Sequence, residues 1–423
     1  MKTQSLLMAA VCLLASALSA SPADWLQFRG PGGLGIASDK NLPVKWGSQD
    51  NIAWKTELPG PGASSPIVVG NKVFLTCYSG YGLDKAAGDM KDLKRHLVCI
   101  DRAAGKVLWT RDVPQNLPDQ AFTGSYITLH GYASGTPACD GQRVYVFFGK
   151  SGVFAFDLDG KQLWQGSAGD KTHGWGSGTS PVLTKDLVIV NASVESGSLV
   201  ALNKSDGKTA WTAKGISSSW NTPLLVDVPG GKQELVVSVN GRIRAFNPQS
   251  GVELWNCHGV DDYVVPSVIA NNGVVYAIGG RSNTALAVKA GGQGDVTKTN
   301  VLWRINKGSN VTSPVFHEGH IYWTSEQNGL LYCVEVDKGT VVFEERLKPT
   351  AGLIYASPVA ADGKLYFVSR ASGAFVLEAK PQFKLLAHNA FKDDPGPFNA
   401  SPVMSNGQIL LRSNRYLYCI GKN

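Results

Sequence analysis

Charged residues make up only 17% of this 423-residue chain, and no run of five like charges occurs in it. A disordered acidic or basic tail is therefore excluded. The net charge of +7 (40 Lys+Arg against 33 Asp+Glu) is spread along the length. A nucleic-acid binder would concentrate such charge on one stripe, so no nucleic-acid partner is expected. Beyond the N-terminus no apolar stretch nears the roughly 18–20 residues that span a bilayer, so a membrane-spanning chain is not expected. There is no Cys-x-x-Cys-His haem site, and no Cys/His spacing matches a zinc site.

Cysteine is also scarce, with seven in the chain. The first, Cys12, falls in a segment that reads as an export leader: Lys2, an apolar run from Leu6 to Leu18, then Ser19, Ala20 and Ser21. Cleavage is expected after Ala20, with Ala17 or Ser19 as alternatives, and the expected layout is a leader over 1–20, an N-terminal extension over 21–50 and one main domain over 51–423. Such a chain is expected in the periplasm or secreted. Lipidation at Cys12 is disfavoured by the bulky Val11. Of the other cysteines, Cys99, Cys333 and Cys419 fall where further copies of the same pattern carry Ala155, Ala201, Ala245 and Ala287. They read as small buried hydrophobes. An exported chain permits disulfides, and Cys77–Cys99 is the pair to test.

What the chain does contain is a repeat. A small or β-branched residue followed by proline opens an apolar stretch eight times, at Ser65-Pro66, Thr136-Pro137, Ser180-Pro181, Thr222-Pro223, Val265-Pro266, Ser313-Pro314, Ser357-Pro358 and Ser401-Pro402. The prolines lie 71, 44, 42, 43, 48, 44 and 44 residues apart. A period near 44 marks a repeat architecture. Within one copy, short runs rich in β-branched and aromatic residues alternate with Gly, Asp, Asn and Ser, the signature of strands. A fourth run ends most copies, as in Gly105-Lys-Val-Leu-Trp109, Gly160-Lys-Gln-Leu-Trp164 and Gly207-Lys-Thr-Ala-Trp211. Four antiparallel strands per unit describe a blade of an all-β propeller. The recurring Trp is expected to fill the wedge between blades.

The last copy, Ser401 to Cys419, has only three runs, while Asn51 to Leu58 carries the repeat Trp before the first Ser-Pro step. An N-terminal strand completing the last blade would close the ring and remove its open edges. Eight blades are expected; an open seven-blade ring with a stray half-unit is the alternative. The first copy is long because of insertions at Tyr78 to His96 and Thr110 to Gly135, and long loops on a regular scaffold tend to carry function.

With Ala-Phe-Asp-Leu-Asp-Gly-Lys-Gln-Leu-Trp at 155–164 and the Trp-x-Gln-Phe-Arg-Gly-Pro opening at Trp25 to Pro31, the chain resembles the pyrroloquinoline-quinone (PQQ)-repeat, or quinoprotein-like, eight-bladed propellers. The resemblance covers essentially the whole mature chain. It implies a fold shared by quinoprotein alcohol dehydrogenases and by non-enzymatic propellers such as the outer-membrane protein assembly lipoprotein. The enzyme branch implies adjacent cysteines against the quinone and a calcium held by Glu and Asn beside a catalytic Asp. Here Cys77 and Cys99 are 22 residues apart, and no such calcium trio stands out by motif.

In a propeller, the loops entering first strands and those joining second to third strands share a face. Three residues before each proline lie Ala63, Ser134, Gly178, Trp220, Tyr263, Val311, Tyr355 and Asn399. They are expected to ring the channel mouth, where Trp220, Tyr263, Tyr355 and Asn399, with Asn221 beside them, would make a platform for a planar or sugar-like ligand. Glu195, Arg281, Glu326, Arg370 and Arg412 fall in turns of the same face. Arg281, Arg370 and Arg412 could clamp carboxylates or phosphates; solvated turn charges are the plainer alternative. His130, His173 and His258 lie in loops where a base or metal ligand could sit. The Gly291-to-Gly294 stretch precedes no helix pattern, so a phosphate cradle has no support.

These observations point to an exported, monomeric, non-catalytic propeller that binds or scaffolds a protein or an extracellular polymer through one face, without a cofactor. The alternatives are a PQQ- and calcium-dependent periplasmic oxidoreductase of the alcohol or sugar dehydrogenase kind, and a polysaccharide-binding module.

Overall fold

The computed structural model of the protein describes residues 24–83, 88–122 and 130–422; the expected leader over residues 1–20 lies outside them. The first hairpins show why short strands form here. Asn272-Gly273, Asp362-Gly363 and Asn406-Gly407 are two-residue loops with φ positive at both positions. This turn matches the twist of flanking strands and is open chiefly to Gly, Asn and Asp. Middle strands such as Leu187–Ala192 are buried along their length, whereas the outermost Thr209–Lys214 alternates exposed and buried residues. Each sheet thus has a strand sandwiched between neighbours and a strand half in water.

The sheets number eight and each holds a four-stranded antiparallel blade. In chain order the blades span residues 67–112, 138–166, 182–214, 224–258, 269–305, 315–346, 359–389 and 403–420. The eighth is completed by Ile52–Glu57, which pairs antiparallel with Tyr416–Ile420. The ring therefore has eight blades closed by the N-terminal strand, and the seven-blade alternative falls.

Blades are joined by two sets of contacts. In the outer set, the small residue of the third strand faces the repeat Trp directly across the ladder, as in Cys99 opposite Trp109, Ala201 opposite Trp211 and Cys419 opposite Trp54. The Trp then leans on the next blade. The Trp54 and Trp164 indole N–H groups donate to the carbonyls of Arg102 and Lys204, each at 2.8 Å. Gly105 and Gly207 lie against those rings: a Cβ there would sit 2.6 and 2.5 Å from Trp54 and Trp164, and both glycines hold positive φ. The Gly and Trp of the repeated motif are thus partners across blades, not within one.

The inner set is a ring of hydroxyls. The amide of Ser65 donates to Thr136 Oγ1 at 2.9 Å; Thr136, Ser180, Thr222, Ser267, Ser313 and Ser357 each donate to the hydroxyl one blade on, at 3.0 Å. At Thr136, Ser180, Thr222, Ser313, Ser357 and Ser401 the residue before the proline is hydroxylic because it accepts its neighbour's amide. In blade 5 this position is Ser267, not Val265, so the repeat index there shifts by two residues. Counting by hydroxyl, the uneven steps of 43 and 48 residues become 45 and 46. At the seam between blades 8 and 1, buried Arg412 donates instead to Ser64, at 2.9 Å to its carbonyl and 2.7 Å to Oγ.

Residues 24–37 plug the channel three residues below this ring. Trp25 exchanges two backbone bonds with Val68, Leu26 accepts from Cys139, and Ile36–Ala37 pairs parallel with blade 7 at Ala360 and Ala361. The chain then passes between blades 7 and 8, where Asn389 accepts from the Trp46 amide at 3.0 Å and donates to the Val44 carbonyl at 2.9 Å. All six cysteines among the described residues are buried and free. Cys77 packs with the blade 7 and 8 core and Cys99 with the blade 2 core. They occupy opposite faces of blade 1, so the expected pair cannot bond.

Candidate functional site: an uncharged aromatic funnel

Above the plug the channel opens as a cavity of about 250 Å³. Phe28 of the N-terminal segment contributes to it from below, Ser65, Thr222, Ser267, Ser313, Ser357 and Ser401 line its waist, and the residues preceding them form the mouth. All eight positions three residues before the prolines, Ala63, Ser134, Gly178, Trp220, Tyr263, Val311, Tyr355 and Asn399, line this one cavity, and Val265 joins them.

One side of the mouth is aromatic. Trp175 stands 5.2 Å from Trp220 and 5.0 Å, edge to face, from Tyr263. The Trp220 indole is fixed by donation to the Gly176 carbonyl at 2.9 Å. Mutually packed rings of this kind lose little side-chain freedom when a ligand arrives. On the other side the Arg370 guanidinium lies 5.0 Å over the Tyr355 ring and its Nε donates to Asn399 Oδ1 at 2.8 Å. His130 Nδ1 meets Ser134 Oγ at 2.9 Å, and burial pulls this imidazole down to about 4. It is thus neutral at ordinary pH, and the lining as a whole carries no charged side chain.

The remaining candidates are elsewhere. Asn221 is buried inside the blade seam, donating to Ser219 Oγ at 2.9 Å and to the Ser238 carbonyl at 2.6 Å. Arg412 is the seam staple described above, so the three arginines do not converge as a clamp. Arg281 stays at the exposed rim, 4.9 Å over Tyr263 and 3.7 Å from Asp262 Oδ2. Glu195 lies in a separate small crevice between blades 2 and 3 with Arg95 and Asp119. Burial pushes its carboxyl up to about 7, and Oε2 has no hydrogen-bond partner. Glu326 is buried and accepts from the Asn310 amide at 2.9 Å. His258 is exposed beside Asp261, and His173 packs on Trp175 and Trp220. Sequence reasoning missed the floor and the waist. The signals were present, in the Trp25-to-Pro31 segment and in the hydroxyl before seven of the eight prolines.

Calcium takes six to eight oxygen ligands, largely carboxylates and carbonyls. Among the described residues no group of three or more His, Cys, Asp or Glu side chains could hold a metal. With no carboxylate among the residues lining the funnel, and with Arg370 over Tyr355 at its mouth as a guanidinium rather than a cation ligand, the residues present do not fit a calcium-held quinone.

The family model described as outer membrane protein assembly factor BamB matches residues 94–345. The chain is 25% identical over 283 residues to the outer membrane protein assembly factor BamB of Yersinia pestis, covering 62% of this chain and 64% of that relative. The chain thus spans just under two thirds of that relative's length. In fold it is similar to BamB from Moraxella catarrhalis, with a TM-score of 0.58 at 11% identity over 87% of this chain and 99% of that one. It is also similar to a europium-containing methanol dehydrogenase, with a TM-score of 0.65 at 12% identity over 94% and 91%. By the family model's span of more than half its length, the chain belongs to the BamB-type family of PQQ-repeat propellers.

Proposed function

We propose that this protein is an exported binding and scaffolding propeller that engages a protein partner through the funnel face. The observation that carries this reading is the funnel itself: blind, free of carboxylates, and walled on one side by a fixed cluster of Trp175, Trp220 and Tyr263. Half-buried aromatic anchors of this kind, ringed by polar groups and desolvated when a partner binds, are what interface hot spots are made of. Family membership and the relatives' naming as outer membrane protein assembly factors support a protein partner in the envelope. No helix among the described residues is long and apolar enough to cross a membrane. The protein is read as a monomer. The test is co-purification from the native envelope. Wild type should retain a defined protein partner, and Trp220→Ala with Tyr355→Ala should lower its recovery at least tenfold, with the thermal midpoint held. Equal recovery by both would contradict a role for the funnel.

The uncharged wall favours one other ligand class, a neutral saccharide end stacked on the Trp220 side with its hydroxyls on the Ser/Thr waist. Retention on an immobilised envelope glycan, lost in the same double variant, would mark this as the function instead. Micromolar PQQ with calcium is expected to produce no new absorbance band.

A further inference from the structure

Blade 1 carries a second constellation, outside the funnel. Ser79 ends the second strand, His96 lies in the third and Asp112 ends the fourth. His96 pairs with Cys77 and with Asp112 across the ladder, so these side chains share one sheet face, and Ser79 is two residues beyond Cys77 on that same face. Ser79 Oγ is 2.7 Å from His96 Nε2. His96 Nδ1 is 2.7 Å from Asp112 Oδ1. With Nδ1–H donated to the carboxylate, Nε2 is left to accept from the serine hydroxyl. This is the order of contacts that activates a serine nucleophile.

The scaffold does not require these residues. The positions matching His96 and Asp112 hold Ser198 and Lys214 in blade 3, Arg242 and His258 in blade 4, and Leu330 and Arg346 in blade 6. The imidazole is held with its side chain only 7% exposed, while the Asp112 side chain is 59% exposed. Ser79 is half-buried and the next residue, Gly80, is exposed. Glycine also stands on its other flank, where a Cβ on Gly60 would come 3.8 Å from that of Ser79. No side chain of these two neighbours blocks approach to Oγ. A cavity of about 400 Å³ opens at Tyr78, the residue before Ser79, with Leu83, Pro395 and Pro397 on its wall together with the polar Arg370 and Asn414.

The geometry points to a serine acyl-transfer centre, Ser79–His96–Asp112, acting on small carboxylic esters. Ser79 Oγ bonds to the ester carbonyl carbon as its proton passes to His96 Nε2. The carbon–oxygen bond to the alcohol then breaks, and Nε2 returns the proton to the leaving oxygen. Water reverses the sequence: its proton goes to Nε2, its oxygen bonds to the acyl carbon, and the Oγ–carbon bond breaks with Oγ reprotonated. Asp112 is a positioning residue that fixes the ring.

The test uses the full mature chain with a tagged fluorophosphonate, which phosphonylates activated serines. Wild type should be labelled at Ser79, located by peptide mass spectrometry, and should hydrolyse p-nitrophenyl butyrate. Ser79→Ala should abolish labelling. Asp112→Asn, at an exposed position, should slow labelling at least tenfold with an unchanged thermal midpoint, since positioned general bases contribute roughly 10²–10⁴-fold. A control at an exposed residue far from this site, Lys338→Ala in blade 6, should label normally. No labelling of wild type at millimolar probe, labelling at another residue, or an undiminished rate in Asp112→Asn would overturn the assignment.

Discussion

Glu195 shows how a residue that looks functional in the sequence can act chiefly on stability. It was read as a turn charge on the funnel face, but it is 2% exposed with one oxygen unpartnered. Its carboxyl is raised from 4.5 to about 7 by burial. The native state therefore binds this proton more tightly than the unfolded chain, and stability contributed by the neutral form is full below about pH 4.5. It is lost as pH rises through about 7. Glu195→Gln should remove that decline and stabilise the protein at pH 8 by about 2–3 kcal/mol, read by urea denaturation at pH 5 and pH 8. A pH-independent difference between the two proteins would contradict this account. Arg412 carries the same lesson. The sequence placed an arginine in a turn on the ligand face, but nothing in its neighbours signalled that it would turn inward to bond Ser64 across the closing seam.

At the level of elements, the repeat was legible because each strand is local. Turn pairs such as Asp362-Gly363 and the Gly-Lys-x-x-Trp run specify a hairpin and an outer strand without help from afar. The cross-blade contacts were not legible, since partners such as Gly207 and Trp164 lie a full repeat apart and each alone looks like ordinary punctuation. Blade 5 marks the limit of reading by proline. Val265-Pro266 preserves the motif's appearance, yet Ser267 holds the hydroxyl that Thr222 donates to and the amide that donates to Ser313. Ser267→Ala should therefore leave the Thr222 amide without its acceptor and cost about 1–3 kcal/mol. Val265→Thr should change stability by less than about 0.5 kcal/mol. Thermal or urea midpoints for the two variants decide between hydroxyl and proline as the true repeat index.

For the whole molecule, the N-terminal 34 residues from 24 to 57 do two jobs that no blade does alone. They plug the channel through Trp25, Phe28 and Ile36–Ala37, and they supply the outer strand of blade 8. The sequence revealed the strand, because a Trp-bearing run stood without its blade. It did not reveal the plug, whose bonds to blades 1, 2 and 7 use backbone groups that any residue carries. Removing residues 24–58 should leave the Tyr416–Ile420 edge open and the inner strands uncovered. The expected result is loss of the single cooperative melting transition and concentration-dependent association. A soluble, cooperatively melting monomer would show that the ring closes without its first strand.

The central claim is that the funnel face meets a protein partner. Its most direct test places a photocrosslinking amino acid at Tyr355 on that face, and separately at Lys364 in a first-hairpin strand on the opposite side of blade 7, within the native envelope. A discrete crosslinked protein from the Tyr355 position alone, lost when Trp220→Ala is added, is the predicted result. Crosslinks of equal yield from both positions, or none from Tyr355, would contradict it.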